Sequence, residues 1–143
     1  MRIAAMALLV GSLCVAACND SDNLNLVTPL NQLGTFTLVS VNGNALPAIV
    51  VSTPSPPLTI TALSGQIVIN ANNTFSSAVA LQQNVSGTIT TSTRSCTGTW
   101  SSNGTTITFV EAAVPNCGST FTGTLAGTTL TASVLGVSAV FAR

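Results

Sequence analysis

Cysteine is the residue type in this chain that is best able to do chemistry. The 143-residue sequence has cysteines at positions 14, 18, 96 and 117, and it has no histidine, lysine or tyrosine. A cysteine can be acylated, oxidised to a disulfide or bound to a metal ion, and its compartment and surroundings select among these fates. Cys14 and Cys18 lie near the N-terminus, far from Cys96 and Cys117. We therefore expect the two pairs to have different roles.

The segment before Cys18 has the layout of an export signal. Arg2 is followed by an apolar run over residues 3–13 and by alanines at positions 16 and 17. This order is typical of secretory signal peptides. A membrane-spanning helix would need roughly 20 apolar residues, and Asn19 and Asp20 interrupt the run before that length. We predict a signal peptide over residues 1–17.

The sequence Val-Ala-Ala-Cys at residues 15–18 resembles the lipobox of bacterial lipoproteins, with Val15 in place of the usual leucine. The resemblance implies cleavage before Cys18 and acylation of its thiol, with palmitate as a typical chain. Each buried methylene contributes about 0.8 kcal/mol, so several acyl chains would hold the protein on membrane lipid. Ordinary cleavage near Ala17, without a lipid, is the alternative.

The resemblance also implies a location. Asn19 follows the cysteine where an aspartate would favour retention in the inner membrane, so the outer membrane is favoured over the cell membrane. The anchored protein would face the periplasm or the exterior.

Removal of the signal leaves 126 residues, Cys18 to Arg143, which is enough for one domain. Residues 18–33 are predicted to be the lipidated cysteine and a tether that spans at most about 50 Å. Docking of residues 24–30 on the domain is the alternative. Residues 34–143 are predicted to form the domain.

In an exported protein, Cys96 and Cys117 are best explained as a disulfide because the periplasm is oxidising. In the chain-entropy model, a loop of about 20 residues contributes about 3 kcal/mol. Zinc usually takes four ligands, and the sequence has no histidine to complete such a set. We therefore predict no metal.

The charged residues exclude several classes of function. After the signal, the basic residues are Arg94 and Arg143, against Asp20, Asp22 and Glu111. Nucleic-acid binding needs a cluster of cations, so we expect no nucleic-acid partner.

Glu111 is the only candidate acid or base within the domain, and we interpret it as a solvated strand end. Paired carboxylates, a serine triad and a phosphate-binding loop are absent. We predict no cofactor and no enzymatic activity.

Alternating apolar residues from Gly34 onward predict β-strands. Four hairpins are predicted, with turns at residues 64–65, 103–104, 126–127 and 135–136. They would pair Ala62 with Ile67, Trp100 with Ile107, Gly98 with Phe109, Gly123 with Leu130, Phe121 with Ala132, Val134 with Val137 and Leu130 with Phe141. A turn at residues 71–73 would bring Phe75 beside Ile69. Residues 42–57 are predicted to be a proline-rich loop with one short strand at 48–51, and residues 85–93 a weaker strand.

The mature chain resembles small bacterial lipoproteins with a lipocalin-like, META-type domain. The residues that carry the resemblance are Gly34, Phe36, Leu38, Ser40–Gly43, Leu46, Pro47, Gly65, Ile67, Ile69, Phe75, Gly98–Trp100 and Phe141–Arg143. The family implies an all-β fold, an antiparallel meander that forms a barrel of about eight strands, in which the last strand pairs with the first. The residue pattern alone also allows a sandwich.

Two functions are compatible with the predicted lipocalin-like barrel. One is a structural or interaction domain that contacts protein partners in the envelope, and the other is a binder of a small apolar ligand inside the barrel. The predicted interior residues are Trp100, Phe109, Phe121, Leu130 and Phe141. Gly98, Gly123, Ala132 and Ala139 would leave room between them. A filled interior is favoured because no convergent polar groups are evident from the sequence.

Overall fold

The computed structural model describes residues 32–113 and 117–143, which form ten β-strands. They are β1 (Gly34–Val41), β2 (Asn44–Ala45), β3 (Ala48–Pro54), β4 (Pro57–Ile69), β5 (Thr74–Val85), β6 (Thr88–Asn103), β7 (Thr106–Glu111), β8 (Thr120–Ala126), β9 (Thr129–Val134) and β10 (Val137–Ala142). In this described part of the chain, no helix has the length and apolar character needed to cross a membrane.

Eight strands close into an antiparallel meander barrel, as predicted. The strands β4 to β10 pair in sequence order, and β1 pairs with β10 on one side and with β4 on the other. Leu38 lies opposite Phe141, and Phe36 lies opposite Ile67. The pairing of the first strand with the last removes the open edges that a sandwich would leave.

Strands β3 to β6 continue past the barrel as a sheet that we call the arm. It consists of β3 and of residues 57–62, 80–85 and 88–93. The prediction of a loop over residues 42–57 was therefore wrong, because most of β3 pairs with β4. Residues 85–93 are likewise not one strand. Ser86 and Gly87 have φ of 50° and 93°, which turns β5 into β6.

The predicted turn at Ser64 and Gly65 was also wrong. Both residues lie inside the continuous strand β4, and the extra residue Leu63 forms a bulge there. The alternation of apolar residues on either side of Gly65 suits one long strand as well as two short ones. A Cβ at position 65 would lie 3.1 Å from a methyl group of Leu38 on the neighbouring strand β1, so glycine allows the two strands to approach closely here.

The last hairpin has the predicted register, with Val134 opposite Val137 and Leu130 opposite Phe141. The predicted turn at residues 71–73 also brings Phe75 opposite Ile69. The other two registers were wrong by two residues. Trp100 lies opposite Phe109, and Gly123 lies opposite Ala132.

The two-residue shift has a common cause in the loops. Gly104 and Gly127 each have a φ of 61° and occupy the first loop position, followed by Thr105 and Thr128. A two-residue loop with glycine first is the II′ arrangement, whereas the prediction placed glycine second. Because the shift is even, the same side chains still face inward.

Phenylalanine rings fill the centre of the barrel. Phe109 stacks on Phe121 with centroids 4.8 Å apart, and Phe75 meets Phe109 edge to face at 5.0 Å. Two glycines make room for neighbours, because a Cβ on Gly98 would lie 2.8 Å from the Phe75 ring and one on Gly123 2.8 Å from Leu130. The five residues proposed for the interior are all buried: Trp100, Phe109, Phe121, Leu130 and Phe141.

The chain enters the barrel at the end that we call the base, which carries the turns at residues 70–73, 104–105 and 127–128. The buried Gln32 donates a hydrogen bond from Nε2 to the Gly104 carbonyl at 3.0 Å. The Arg143 guanidinium donates to the Leu33 carbonyl and lies over the Phe36 ring. The base and the arm are therefore at opposite ends of the molecule.

Candidate functional site

A cavity of about 100 Å³ lies inside the barrel, on the side away from the base, and is partly open to solvent. Inward-facing side chains from seven neighbouring strands, β4 to β10, line it: Ile67, Ser77, Val79, Arg94, Glu111, Phe121, Ala132, Val134 and Phe141. Alanine at position 132 and serine at position 77 leave space that larger side chains would fill. The interior is thus filled by aromatic rings toward the base and open near the arm.

An ion pair lies in the wall of this cavity. Arg94 Nη2 donates to Glu111 Oε2 at 3.3 Å, and the backbone N–H of Ser119 donates to the same oxygen at 3.1 Å. The Glu111 side chain is only 5% exposed, whereas that of Arg94 is 35% exposed. The interpretation of Glu111 as a solvated strand end was therefore wrong, because Glu111 points into the barrel next to an arginine.

The pair is unusual for this chain, because residues 34–143 contain only three charged side chains, Arg94, Glu111 and Arg143. Two of these three meet at the cavity. A buried ion pair gives up hydration and is weak evidence for stability, but perturbed or paired charges in a cleft often mark functional sites. The expectation that no polar groups converge on the interior was thus wrong, since Arg94, Glu111 and Ser77 do so.

Sequence reasoning did not include Arg94 in the interior, although a signal was present. Arg94, Cys96, Gly98 and Trp100 occupy every second position of β6, so Arg94 shares the inward face of the other three. The predicted strand over residues 85–93 ends before Arg94, so the sequence analysis assigns this residue to no face. A single strand from Thr88 to Asn103 places Arg94 on the same face as the core.

The predicted disulfide between Cys96 and Cys117 is present, with Cα atoms 5.9 Å apart. Cys96 lies opposite Ser77 on β5, and Gly98, two residues further along β6, lies opposite Glu111 on β7. The two sulfur atoms and a Glu111 carboxylate oxygen lie within 4.8 Å of one another. The disulfide therefore fixes the segment around Cys117, whose neighbour Ser119 holds the Glu111 carboxylate.

Replacing both cysteines, Cys96→Ala with Cys117→Ala, is expected to lower the free energy of unfolding by about 2–3 kcal/mol, because a loop of this length is no longer closed in the unfolded chain. Urea denaturation of the processed protein measures this. Ser95→Ala, at the exposed position next to Cys96 on β6, serves as the control. An unchanged midpoint in the double variant would show that the disulfide does not stabilise the barrel.

The chemistry available at the cavity is hydrogen bonding and charge recognition against apolar walls. The Glu111 carboxylate is already engaged by a guanidinium and an amide N–H. Apolar walls with a few convergent polar groups are typical of small-molecule sites. Cys18, for which lipidation is predicted, lies outside the described residues.

Comparisons of this chain with protein-family models, with curated proteins and with solved structures found no match.

Proposed function

We propose that this protein is a lipoprotein of the cell envelope, anchored through an acylated Cys18, whose barrel is a non-catalytic interaction domain. The observation that carries the proposal is that the base and the arm lie at opposite ends of the barrel. The chain leaves the predicted tether at the base, where Gln32 and Leu33 are held, and the arm extends from the other end. A protein anchored by its N-terminus would present the arm away from the membrane.

The arm has a surface suited to contact with other proteins. Ile49 and Ile89 are 56% and 59% exposed, and Val51 and Val85 are also exposed. Residues 23–93 contain no charged side chain. Ile49 and Ile89 lie on one face of the arm. Val51 lies opposite Ile60 and Val85 opposite Leu58 on the other face, and a group of apolar side chains on one face is typical of interaction surfaces.

The charged residues support a non-catalytic role. Acid–base catalysis needs a titrating group that is free to exchange a proton with a substrate. Glu111 is the only carboxylate side chain among residues 34–143, it is paired with Arg94, and the sequence has no histidine, lysine or tyrosine to act as a second acid or base. The lipobox-like residues 15–18 and the resemblance to small lipoproteins with a lipocalin-like domain support the anchored location.

Metabolic labelling with an alkyne analogue of palmitate tests the anchor. We expect the wild-type protein, expressed with its own signal, to incorporate the label and to be recovered with membranes. Cys18→Ser is expected to lose the label completely, because the lipobox-like segment then has no thiol at position 18 to acylate.

Cys14→Ser is the matched control, since this cysteine is four residues away and would be removed with the signal; we expect full labelling. Mass spectrometry of the mature N-terminus gives a second readout. A mature chain that begins after Ala17 without an acyl mass, or labelling that persists in Cys18→Ser, would contradict the anchored function.

A second candidate function, binding of a small apolar ligand in the barrel, is favoured by the cavity. Its walls are mainly apolar and include Phe121, Val134 and Phe141. At about 100 Å³ it is smaller than most ligand pockets, which span roughly 300–1,000 Å³. It would therefore hold only the end of a lipid-sized molecule or the whole of a very small one.

A further inference from the structure

We propose that the cavity selects a neutral ligand with a short apolar chain and a carboxamide group, and that Arg94 and Glu111 are the residues that determine this specificity. The inference rests on the second candidate function, ligand binding in the barrel. It adds the chemical class of the ligand, which the apolar walls alone do not define.

The first step concerns hydrogen-bond donors. A guanidinium has five N–H donors, and among the described residues the only hydrogen-bond acceptor for the Arg94 side chain is Glu111 Oε2. The side chain lines the cavity and is 35% exposed. Arg94 thus has donors for a carbonyl oxygen that enters the cavity.

The second step concerns acceptors. Glu111 Oε2 accepts from both Arg94 and Ser119, while Oε1 has no hydrogen-bond donor among the described residues. Because Glu111 lines the cavity, Oε1 can accept from an N–H group of a ligand that binds there. A carboxamide has a carbonyl acceptor and an N–H donor side by side, which suits the two neighbouring residues.

The third step concerns charge. Arg94 and Glu111 neutralise each other, so the cavity has no excess charge to balance a carboxylate or an ammonium group. Burying an unbalanced charge is costly. A charged ligand is therefore disfavoured relative to a neutral ligand of the same size.

The fourth step concerns the apolar part of the ligand. Ile67 and Phe121 are buried, at 3% and 6% exposure, whereas Arg94 is partly exposed. Arg94 therefore lies nearer to solvent than these two apolar side chains. A chain of a few methylene groups would fill the deeper space beside Ile67 and Phe121 while the amide remains at the level of Arg94.

Methyl NMR of the exported, processed protein in lipid nanodiscs tests this inference with three probes of equal size: pentanamide, 2-hexanone and pentanoate. We expect pentanamide to shift the methyl signals of Ala132 and Val134 with a dissociation constant of about 1 mM, which suits so small a ligand. The exposed Leu135 serves as an internal reference. We expect 2-hexanone and pentanoate to bind at least about tenfold more weakly.

Two variants separate the parts of the site. Ala132→Leu fills the cavity and leaves the ion pair in place, so it should abolish binding of every probe. Arg94→Met combined with Glu111→Gln leaves no buried charge unpaired, and we expect it to weaken pentanamide about tenfold while 2-hexanone changes by less than about threefold. Unperturbed methyl signals of Ile69 and Ile107, which are buried in the same core as Phe75 and Phe109, would show that each variant is folded.

Each outcome has a definite meaning. Pentanamide selectivity that is lost in both variants supports the proposal. Equal binding of the three probes overturns the carboxamide specificity and leaves ligand binding in place. No shift with any probe overturns the carboxamide specificity together with the second candidate function. None of these results depends on palmitate labelling, so failure of the anchored function would be recognised separately.

Discussion

Phe109→Ala is expected to lower the free energy of unfolding by about 4 kcal/mol, within the usual range for removal of a buried aromatic ring. Phe109 is 0% exposed and contacts both other rings of the central cluster, with centroids 5.0 Å from Phe75 and 4.8 Å from Phe121. Its replacement removes both contacts. The surrounding strands are held by the closed barrel, so they cannot collapse to fill the space. Guanidinium denaturation of the processed protein measures the loss.

Val110→Ala is the control, because Val110 is the next residue on β7, is 46% exposed and faces outward. We expect it to change stability by no more than about 0.5 kcal/mol. If the two variants had equal midpoints, the rings would not be the stabilising core of the barrel. The comparison also tests the inward face of β7, since a strand flipped by one residue would reverse the two effects.

Gly98→Ala is expected to destabilise the fold by about 3–4 kcal/mol, at or beyond the upper end for an overpacked core. The new Cβ would lie 2.8 Å from the Phe75 ring and 2.9 Å from Glu111 Cα, and it would overlap the Val110 carbonyl. Two of these three neighbours are backbone atoms of β7, so relief requires separation of β6 from β7. The loss is measured as the shift of the denaturation midpoint, or as failure to accumulate folded protein.

Gly123→Ala provides a graded comparison within the same barrel. Its new Cβ would meet a terminal methyl of Leu130 at 2.8 Å, while the nearest backbone atom is 3.3 Å away. A side chain end can shift more readily than a strand, so we expect a loss of about 1–2 kcal/mol. A larger loss at position 123 than at position 98 would contradict the close packing of β6 against β7.

The inward faces of the barrel strands could be predicted because the alternation of apolar and polar residues has a period of two and survives an even shift in register. The register itself depends on loop geometry, which differs between similar short sequences. Leu135 and Gly136 both have positive φ, and this loop was predicted correctly. At Asn103 and Gly104 the glycine occupies the first loop position instead of the second. The alternation of apolar and polar residues does not distinguish a loop with glycine in the first position from one with glycine in the second.

The cavity could not be predicted in the same way, because it depends on residues distant in sequence. Arg94 and Glu111 are 17 residues apart, and their contact requires the correct pairing of β5, β6 and β7. The disulfide was easier to predict, since the predicted export and the absence of histidine left few alternatives for Cys96 and Cys117. Composition identified the available chemical groups, and topology determined which of them meet.

The pairing of β1 with β10 has a consequence for the order of folding. Leu38 must find Phe141, more than 100 residues later in the chain, before the barrel can close. The meander from β3 to β6 contains only neighbouring strands, and these local contacts have a lower entropic cost of loop closure. We therefore expect the arm hairpins to form early during folding. Closure of the barrel waits for β10, and until β10 pairs with β1, the edge of β1 that faces away from β4 stays open.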